Sequence, residues 1–143
     1  MEIRKLELQD IDQVLELGAE EEAFSTSSEL DGFWPRDDLE RMINADQDVL
    51  LVAEEDNYFI GFVFCFLHKP SGKATVENIF IHESYRGKGV ASSLLGEALA
   101  RLKERGLTYV CAMVGEENES SRVLCENLGF NKEKKFFWMD KEL

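Results

Sequence analysis

Three apolar, β-branched or aromatic runs follow one another in the middle of the chain: Val49 to Glu54, Tyr58 to Leu67 and Thr75 to Ile81. Only short turns separate them. Asp56-Asn57 is a hairpin signal between the first two, and Lys69-Pro70-Ser71-Gly72 is a second turn. Strands joined so tightly pair antiparallel. From Gly89 to Arg105 the period changes. Val90, Leu94, Leu95, Ala98, Leu99 and Leu102 recur at three- and four-residue spacing, which predicts an amphipathic helix stopped by Gly106. Leu107 to Val114 reads as a further strand. Asn118 to Leu128 reads as a helix with Val123, Leu124 and Leu128 on one face, closed by Gly129.

The two ends complete the order. Ile3, Leu6 and Leu8 fall in a short first strand. Asp10 offers an N-cap oxygen with Gln13 in capping-box position, and Ile11, Val14 and Leu15 form the stripe of a first helix. Glu20-Glu21-Glu22 and Ser25 to Ser28 read as a loop or a broken helix, and Asp37 to Ile43 as a second short helix after Pro35. Phe130 and the run from Phe136 to Met139 supply one or two last strands. The order βααβββαβαββ predicts an α/β (α+β) fold, with a mixed, mostly antiparallel central sheet of six or seven strands and about four flanking helices.

No repeat, low-complexity tract or linker divides the 143 residues, so one domain over 1–143 is expected. The formal net charge of −13 disfavours a nucleic-acid backbone or an anionic membrane as partner. No run of about 18 apolar residues is present to span a bilayer, and the N-terminus lacks the apolar core of a signal peptide. Cys65, Cys111 and Cys125 are widely spaced and odd in number, which indicates neither a zinc site nor a disulfide framework. Reduced thiols fit a cytoplasmic protein with no metal.

Arg86-Gly87-Lys88-Gly89-Val90-Ala91 carries the chemistry. A strand precedes it and the long helix follows. A glycine-rich strand-to-helix turn leaves backbone N–H groups at a helix N-terminus, and with the helix dipole they suit a pyrophosphate. Gly87 and Gly89 let the backbone approach an anion closely, and Arg86 and Lys88 add charge-assisted contacts. Neither GxxxxGK[ST] nor a GxGxxG in a first βαβ unit occurs, so the common nucleotide motifs are not met.

Tyr85 to Ala91 resembles the acetyl-CoA signature (Arg/Gln-x-x-Gly-x-Gly/Ala) of the Gcn5-related N-acetyltransferases. Ile79-Phe80-Ile81-His82 resembles the strand before that signature, and Asn118-Glu119-Ser120-Ser121 through Leu128-Gly129-Phe130 resembles the family's Asn-x-x-(small) to Gly-Phe helix. The element order matches over essentially the whole chain. The resemblance implies the acetyl-CoA N-acyltransferase fold and direct acetyl transfer from acetyl-CoA to an amine. The donor would lie in a V-shaped split beside the Thr75–Ile81 strand. Ile79, Phe80 and Ile81 would hold the pantetheine arm through their backbone, with N–H groups there stabilising the oxyanion. Arg86, Gly87, Lys88, Gly89, Val90 and Ala91 would hold the pyrophosphate, and Asn118 and Ser121 would flank the pantetheine. Family members often dimerise through the late strands, which leaves a homodimer open.

Glu77 and Cys125 are the catalytic candidates. Alternation would put Glu77 on one face with Ile79 and Ile81, where desolvation raises a carboxylate toward the range of a general base. The position resembles a glutamate of diamine and spermidine acetyltransferases. A cross-strand ion pair or an exposed strand start are its plain alternatives. Cys125, seven residues after Asn118, stands where many members have a tyrosine thought to protonate the leaving thiolate. A thiol can donate a proton, yet a small buried hydrophobe on a helix reads equally well. Met113 replaces the catalytic glutamate of ribosomal-protein alanine acetyltransferases. Phe33 and Trp34 fall where relatives shape the acceptor pocket, with packing of the second helix as the plain reading. Glu16, Glu20, Glu21, Glu22, Glu29 and Asp31 would favour a cationic acceptor if they face the cleft. His68 and His82 show no partner that would orient a base. The expectation is an acetyl-CoA-dependent N-acetyltransferase acting on a small cationic amine of polyamine type. A protein or peptide acceptor, or a CoA-binding module without turnover, are the alternatives.

Overall fold

A computed structural model describes residues 1–20, 33–135, 137, 139 and 141. Their elements are β1 (Glu2–Lys5), α1 (Ile11–Glu20), α2 (Arg36–Ala45), β2 (Val49–Glu55), β3 (Tyr58–His68), β4 (Lys73–Ile81), α3 (Val90–Glu104), β5 (Tyr109–Ala112) and α4 (Glu119–Asn127). The strands form one sheet in the order β1-β2-β3-β4-β5. All neighbours are antiparallel except β4 and β5, which run parallel. The β2–β3 hairpin turns where the residues announce it: Asp56 has φ 51° and Asn57 φ 65°, both left-handed as a tight hairpin requires.

Alternation sorts the sheet's apolar residues to two faces. Leu51, Ala53, Val63, Cys65, Ala74 and Val76 pack under Leu94, Leu95, Ala98 and Leu102 of α3, and Leu124 and Leu128 of α4 join that cluster. Leu50, Val52, Phe62, Phe64 and Phe80 meet Ile11 and Val14 of α1 and Leu39 of α2 on the other face. The stripes named from their spacing in α1 and α3 are thus turned to the core, whereas in α4 Leu124 is only partly buried and Val123 is 47% exposed. Gly106 (φ 83°) ends α3 with its N–H on Lys103 O and the Leu107 N–H on Leu102 O, the paired bonds that close a helix through a left-handed residue.

Three expectations need correction. The described residues form five strands, not six or seven. Phe130 spends its N–H on Cys125 O to close α4 and packs under α3 rather than joining a ladder. Asn131 to Lys135 carries four charged residues in five and offers no apolar face to a sheet. Phe137 and Met139 lie exposed outside any strand, while Phe136 and Trp138 lie outside the described residues. Finally, Asp10 does not serve as a plain helix N-cap. It is 3% exposed, accepts the Glu7 N–H at 2.8 Å and takes both arms of the Arg4 guanidinium at 2.7 and 2.9 Å. Arg4 also reaches Glu54 on β2, so one ion cluster ties β1, β2 and the start of α1.

Burial alone would raise the Asp10 carboxyl, but the hydrogen bonds from Arg4 and Glu7 overcome it and hold the group below its ordinary 3.8. A carboxyl depressed on folding stabilises the fold above its unfolded pKa, and that contribution is lost as pH falls through the folded value. Asp10→Ala should therefore cost about 1–3 kcal/mol in urea unfolding at pH 7, because it leaves the Arg4 guanidinium with Glu54 as its one carboxylate among the described residues and the Glu7 N–H without its acceptor. The gap to the wild type should narrow only below about pH 4.

Candidate functional site

The ladder between β4 and β5 stops early. Lys73, Ala74, Thr75 and Val76 pair with Tyr109, Val110, Cys111 and Ala112. Beyond Val76, β4 runs on for five residues to Ile81 with β3 as its partner. Glu77 to Ile81 thus have one edge that β5 does not cover. The same point carries an irregularity against β3. Cys65 pairs with Val76 and Phe64 with Asn78, so Glu77 is one residue too many, a β-bulge.

The bulge reverses the strand's parity. Ala74 and Val76 face α3 before it, and Ile79 and Ile81 face α3 after it. An unbroken strand would have put Thr75 and Glu77 with Ile79, so the alternation drawn through Glu77 does not hold across the bulge. The signal was present: Glu77-Asn78 places two polar residues in succession inside an apolar strand.

Glu77 is exposed as a residue, yet partial burial of its carboxyl pushes it above the ordinary carboxylate range. Its charge reaches across to Cys65, whose thiol is pushed up to about 12 by burial first and then by Glu77 and Asp48. That thiol stays protonated and inert.

Beyond Ile81 the chain makes a short helical turn, Glu83–Tyr85, in which His82 Nδ1 accepts the Ser84 N–H at 3.3 Å. His68 Nδ1 lies 2.6 Å from Ser71 Oγ in its own turn. Both histidines are engaged in local turn chemistry.

Arg86 is anchored where the strand ends. Its Nε donates to Ile81 O at 2.9 Å and its guanidinium carbon lies 5.9 Å from the Phe80 ring centre. Lys88 Nζ is 5.1 Å from the Tyr85 ring centre. Gly87 (φ 74°) and Gly89 (φ 80°) are both left-handed. The first bond of the α3 ladder runs from the Ser93 N–H to Gly89 O, so the N–H groups of Val90, Ala91 and Ser92 precede the ladder, as at any helix start. Val90 is itself buried and Ala91 half-buried against the α3-side cluster. Their side chains fix the helix, which leaves only their backbone to face an anion.

α4 flanks the same region. Asn118 caps it, accepting the Ser121 N–H and the Ser120 hydroxyl at 3.1 Å each. Cys125, two turns on, is half-buried, and burial followed by the Glu126 charge pushes its thiol up. Met113, just past the end of β5, is 68% exposed. Ile79, Tyr85, Val90, Ala91, Leu124 and Leu128 share one cluster. The uncovered stretch of β4, the glycine turn and α4 thus each contribute to the apolar cluster on the α3 side.

Trp34 and Phe33 lie on the other face. Trp34 Nε1 donates to Asn78 Oδ1 at 3.0 Å, an attachment that the apolar reading of Trp34 did not foresee. Glu16 and Glu20 belong to α1, and the other acidic residues weighed as acceptor contacts, Glu21, Glu22, Glu29 and Asp31, lie outside the described residues. A groove of about 580 Å³ lined by Lys5, Leu6, Met42, Asp46, Leu51 and Arg105 sits by the C-terminal end of α3 and shares none of these residues.

A mixed sheet that parts beside a glycine turn is the frame of an acyl-group transferase. The chain belongs to the acetyltransferase (GNAT) family, whose model matches residues 15–130, and it is an N-acetyltransferase. It is 28% identical to an acetyltransferase of Photorhabdus laumondii over 130 residues, which is 91% of this chain and 86% of that one. It is 40% identical to the [ribosomal protein bS18]-alanine N-acetyltransferase of Haemophilus influenzae over 78 residues, 54% of this chain and 51% of the relative. An aminoglycoside N-acetyltransferase solved in complex with CoA superposes with a TM-score of 0.76 at 20% identity, covering 99% of this chain and 100% of that one. At that identity the likeness is one of fold.

Gly89 and Gly96 should respond to alanine with opposite sign. A Cβ meets nothing within 4 Å at either position, so backbone conformation decides. Gly89→Ala forces a left-handed alanine and should cost about 1–2 kcal/mol. Gly96→Ala, inside α3, should gain up to about 1 kcal/mol. Thermal unfolding of the two variants measures both.

Proposed function

We propose that the chain transfers an acetyl group from acetyl-CoA directly to a primary amine, residues 1–143 acting as one catalytic domain. The observation that carries this reading is the parting of β4 from β5 after Val76, bordered by the glycine turn and by the Asn118-capped helix. The N–H groups of Val90 to Ser92 and the cations Arg86 and Lys88 suit the pyrophosphate of the donor. The uncovered edge from Ile79 to Ile81 offers backbone groups to the pantetheine and to the thioester oxygen. Asn118 and Ser121 border the pantetheine from α4. The donor supplies an activated acetyl group.

Glu77 acts as general base, taking a proton from the attacking amine directly or through a water. Its raised pKa suits that work near neutral pH. Cys125 is the candidate acid for the leaving thiolate, because its raised pKa keeps the thiol protonated. We infer a cationic acceptor, supported by the net charge of −13. A peptide amine is the second reading, favoured by the 40% identity to a protein N-acetyltransferase and weakened by Met113 in place of a glutamate. Three free thiols fit a cytoplasmic setting.

Acetyl-CoA-dependent mass gain on spermidine, lysine, an aminoglycoside, free amino acids and N-terminal peptides tests the reading. One acetylated class names the acceptor. A blank panel alongside measurable acetyl-CoA binding would favour the module without turnover. Arg86→Glu should weaken acetyl-CoA binding by about 100-fold or more, since it replaces an attractive charge with a repulsive one. Unchanged affinity in calorimetry would displace the donor site from this turn. Glu77→Gln should lower kcat by roughly 10²-fold or more and remove the limb of the pH profile on which activity rises as the carboxyl ionises. Retention of that limb would assign the base elsewhere.

A further inference from the structure

The bulge on β4 is bridged from the face opposite α3. On that face the residue before the bulge is Thr75, paired with Phe66, and the residue after it is Asn78, paired with Phe64. Trp34 touches both levels. Its ring meets Phe66 edge-on at 5.4 Å between centroids, and its indole N–H is held by Asn78 Oδ1 at 3.0 Å. The neighbouring Phe33 keeps the indole in place. Its ring lies 5.6 Å from that of Phe62 and 6.1 Å from that of Phe64. It also fills the space over Gly18 so closely that a Cβ there would come within 2.2 Å of it. The contact joins residues 44 apart in sequence and spans the one irregular step of the strand.

We propose that Trp34 is a positioning residue for the acetyl-transfer site: by clamping Asn78 against β3 it pins the β-bulge and so keeps Glu77 as the residue left out of the ladder where β4 and β5 part. The physical reason is register. If the bulge moved one residue toward Ile81, Glu77 would take the place facing Trp34 and Phe64, and Asn78 would become the unpaired residue. Aromatic neighbours alone discriminate weakly between two polar residues of similar size. A hydrogen bond from a half-buried indole, in a site where a carboxylate would be set among phenyl rings, discriminates well. Trp34 acts through Asn78 and touches none of the reacting groups. The proposal rests on the reading of Glu77 as base only for its catalytic consequence, since the geometry it predicts can be read without turnover.

The test is a carbon-13 NMR titration of the Glu77 carboxyl, assigned with Glu77→Gln, in the wild type, Trp34→Phe, Asn78→Ala and the double variant. Cys65 on β3, whose thiol feels the Glu77 charge, and Asp48 before β2, whose charge reaches the same thiol, are unchanged in all of them. Both single variants should move the Glu77 midpoint further above the ordinary carboxylate value, by about 0.5–1 pH unit, as the slipped register sets the carboxyl among the phenyl rings of that face. The double variant should move it no further than either single one, because one bond is lost in each case. Val52→Ala, a cavity in the same aromatic cluster that is paired away from Trp34, should lower the melting temperature and leave the midpoint in place.

A midpoint unchanged in both Trp34→Phe and Asn78→Ala overturns the proposal, as does an equal shift in Val52→Ala, which would make the effect one of general loosening. Asn78→Ala serves if Trp34→Phe does not fold. In acetyl transfer, the two variants should lower kcat several-fold with the KM for acetyl-CoA little changed. If Glu77→Gln keeps full kcat, the base assignment fails while the titration still decides the clamp.

Discussion

A sheet in which every strand is paired along its whole length has nowhere to hold a long, thin donor. Here the parallel ladder between β4 and β5 lasts four residue pairs and ends at Val76, while β4 runs on to Ile81. Everything at the candidate site follows from that shortfall. The uncovered edge supplies backbone polar groups, which must find partners or water. The bulge at Glu77 falls where pairing with β5 ends, and added twist of this kind is what turns one strand away from its neighbour. The strand then delivers the chain into the glycine turn that starts α3.

The two sides of the sheet divide the labour. The α3 face holds buried Val90 and partly buried Ile79, Tyr85 and Leu124 in one apolar cluster, so the elements that border the cleft share one core. Their outer surfaces and backbone are left available. The opposite face packs Phe33, Phe62, Phe64 and Phe80 ring on ring and carries the contact from Trp34 to the bulge. Charge is divided as well. The acidic surplus is spread over the chain, while Arg86 and Lys88 stand together at the turn. Arg4 and Arg105 are spent on structure, the first on Asp10 and Glu54, the second on the carbonyls of Asp46, Gln47 and Asp48.

Relatives that share this frame differ in what they acetylate, as the names of a ribosomal-protein alanine enzyme and an aminoglycoside enzyme indicate. The stretch from β4 through α4 combines an uncovered strand edge with left-handed glycines at Gly87 and Gly89. One fold of this kind hosts enzymes with different substrates.

Local chemistry made much of this legible. The hairpin at Asp56-Asn57, the helix stops at Gly106 and Gly129, the stripe of α3 and the glycine turn before it depend on residues within a few positions of each other, and the structure has them where the spacing puts them. The last strands are absent among the described residues, because apolar residues such as Phe130 serve helix closure as well as they serve a ladder. Asp10 was assigned to its neighbours in sequence when its partner is Arg4 on β1. The bulge at Glu77 escaped alternation, since the number of residues opposite a strand is set by the strand beside it. The sequence alone determined the order of elements from β1 to α4, the turn chemistry and the residue types along β4 and the glycine turn, because each is a short-range property of the chain. The tertiary structure decided where β5 stops, which face Asn78 takes and what Trp34 holds, because those depend on contacts between segments that meet only when the sheet is assembled.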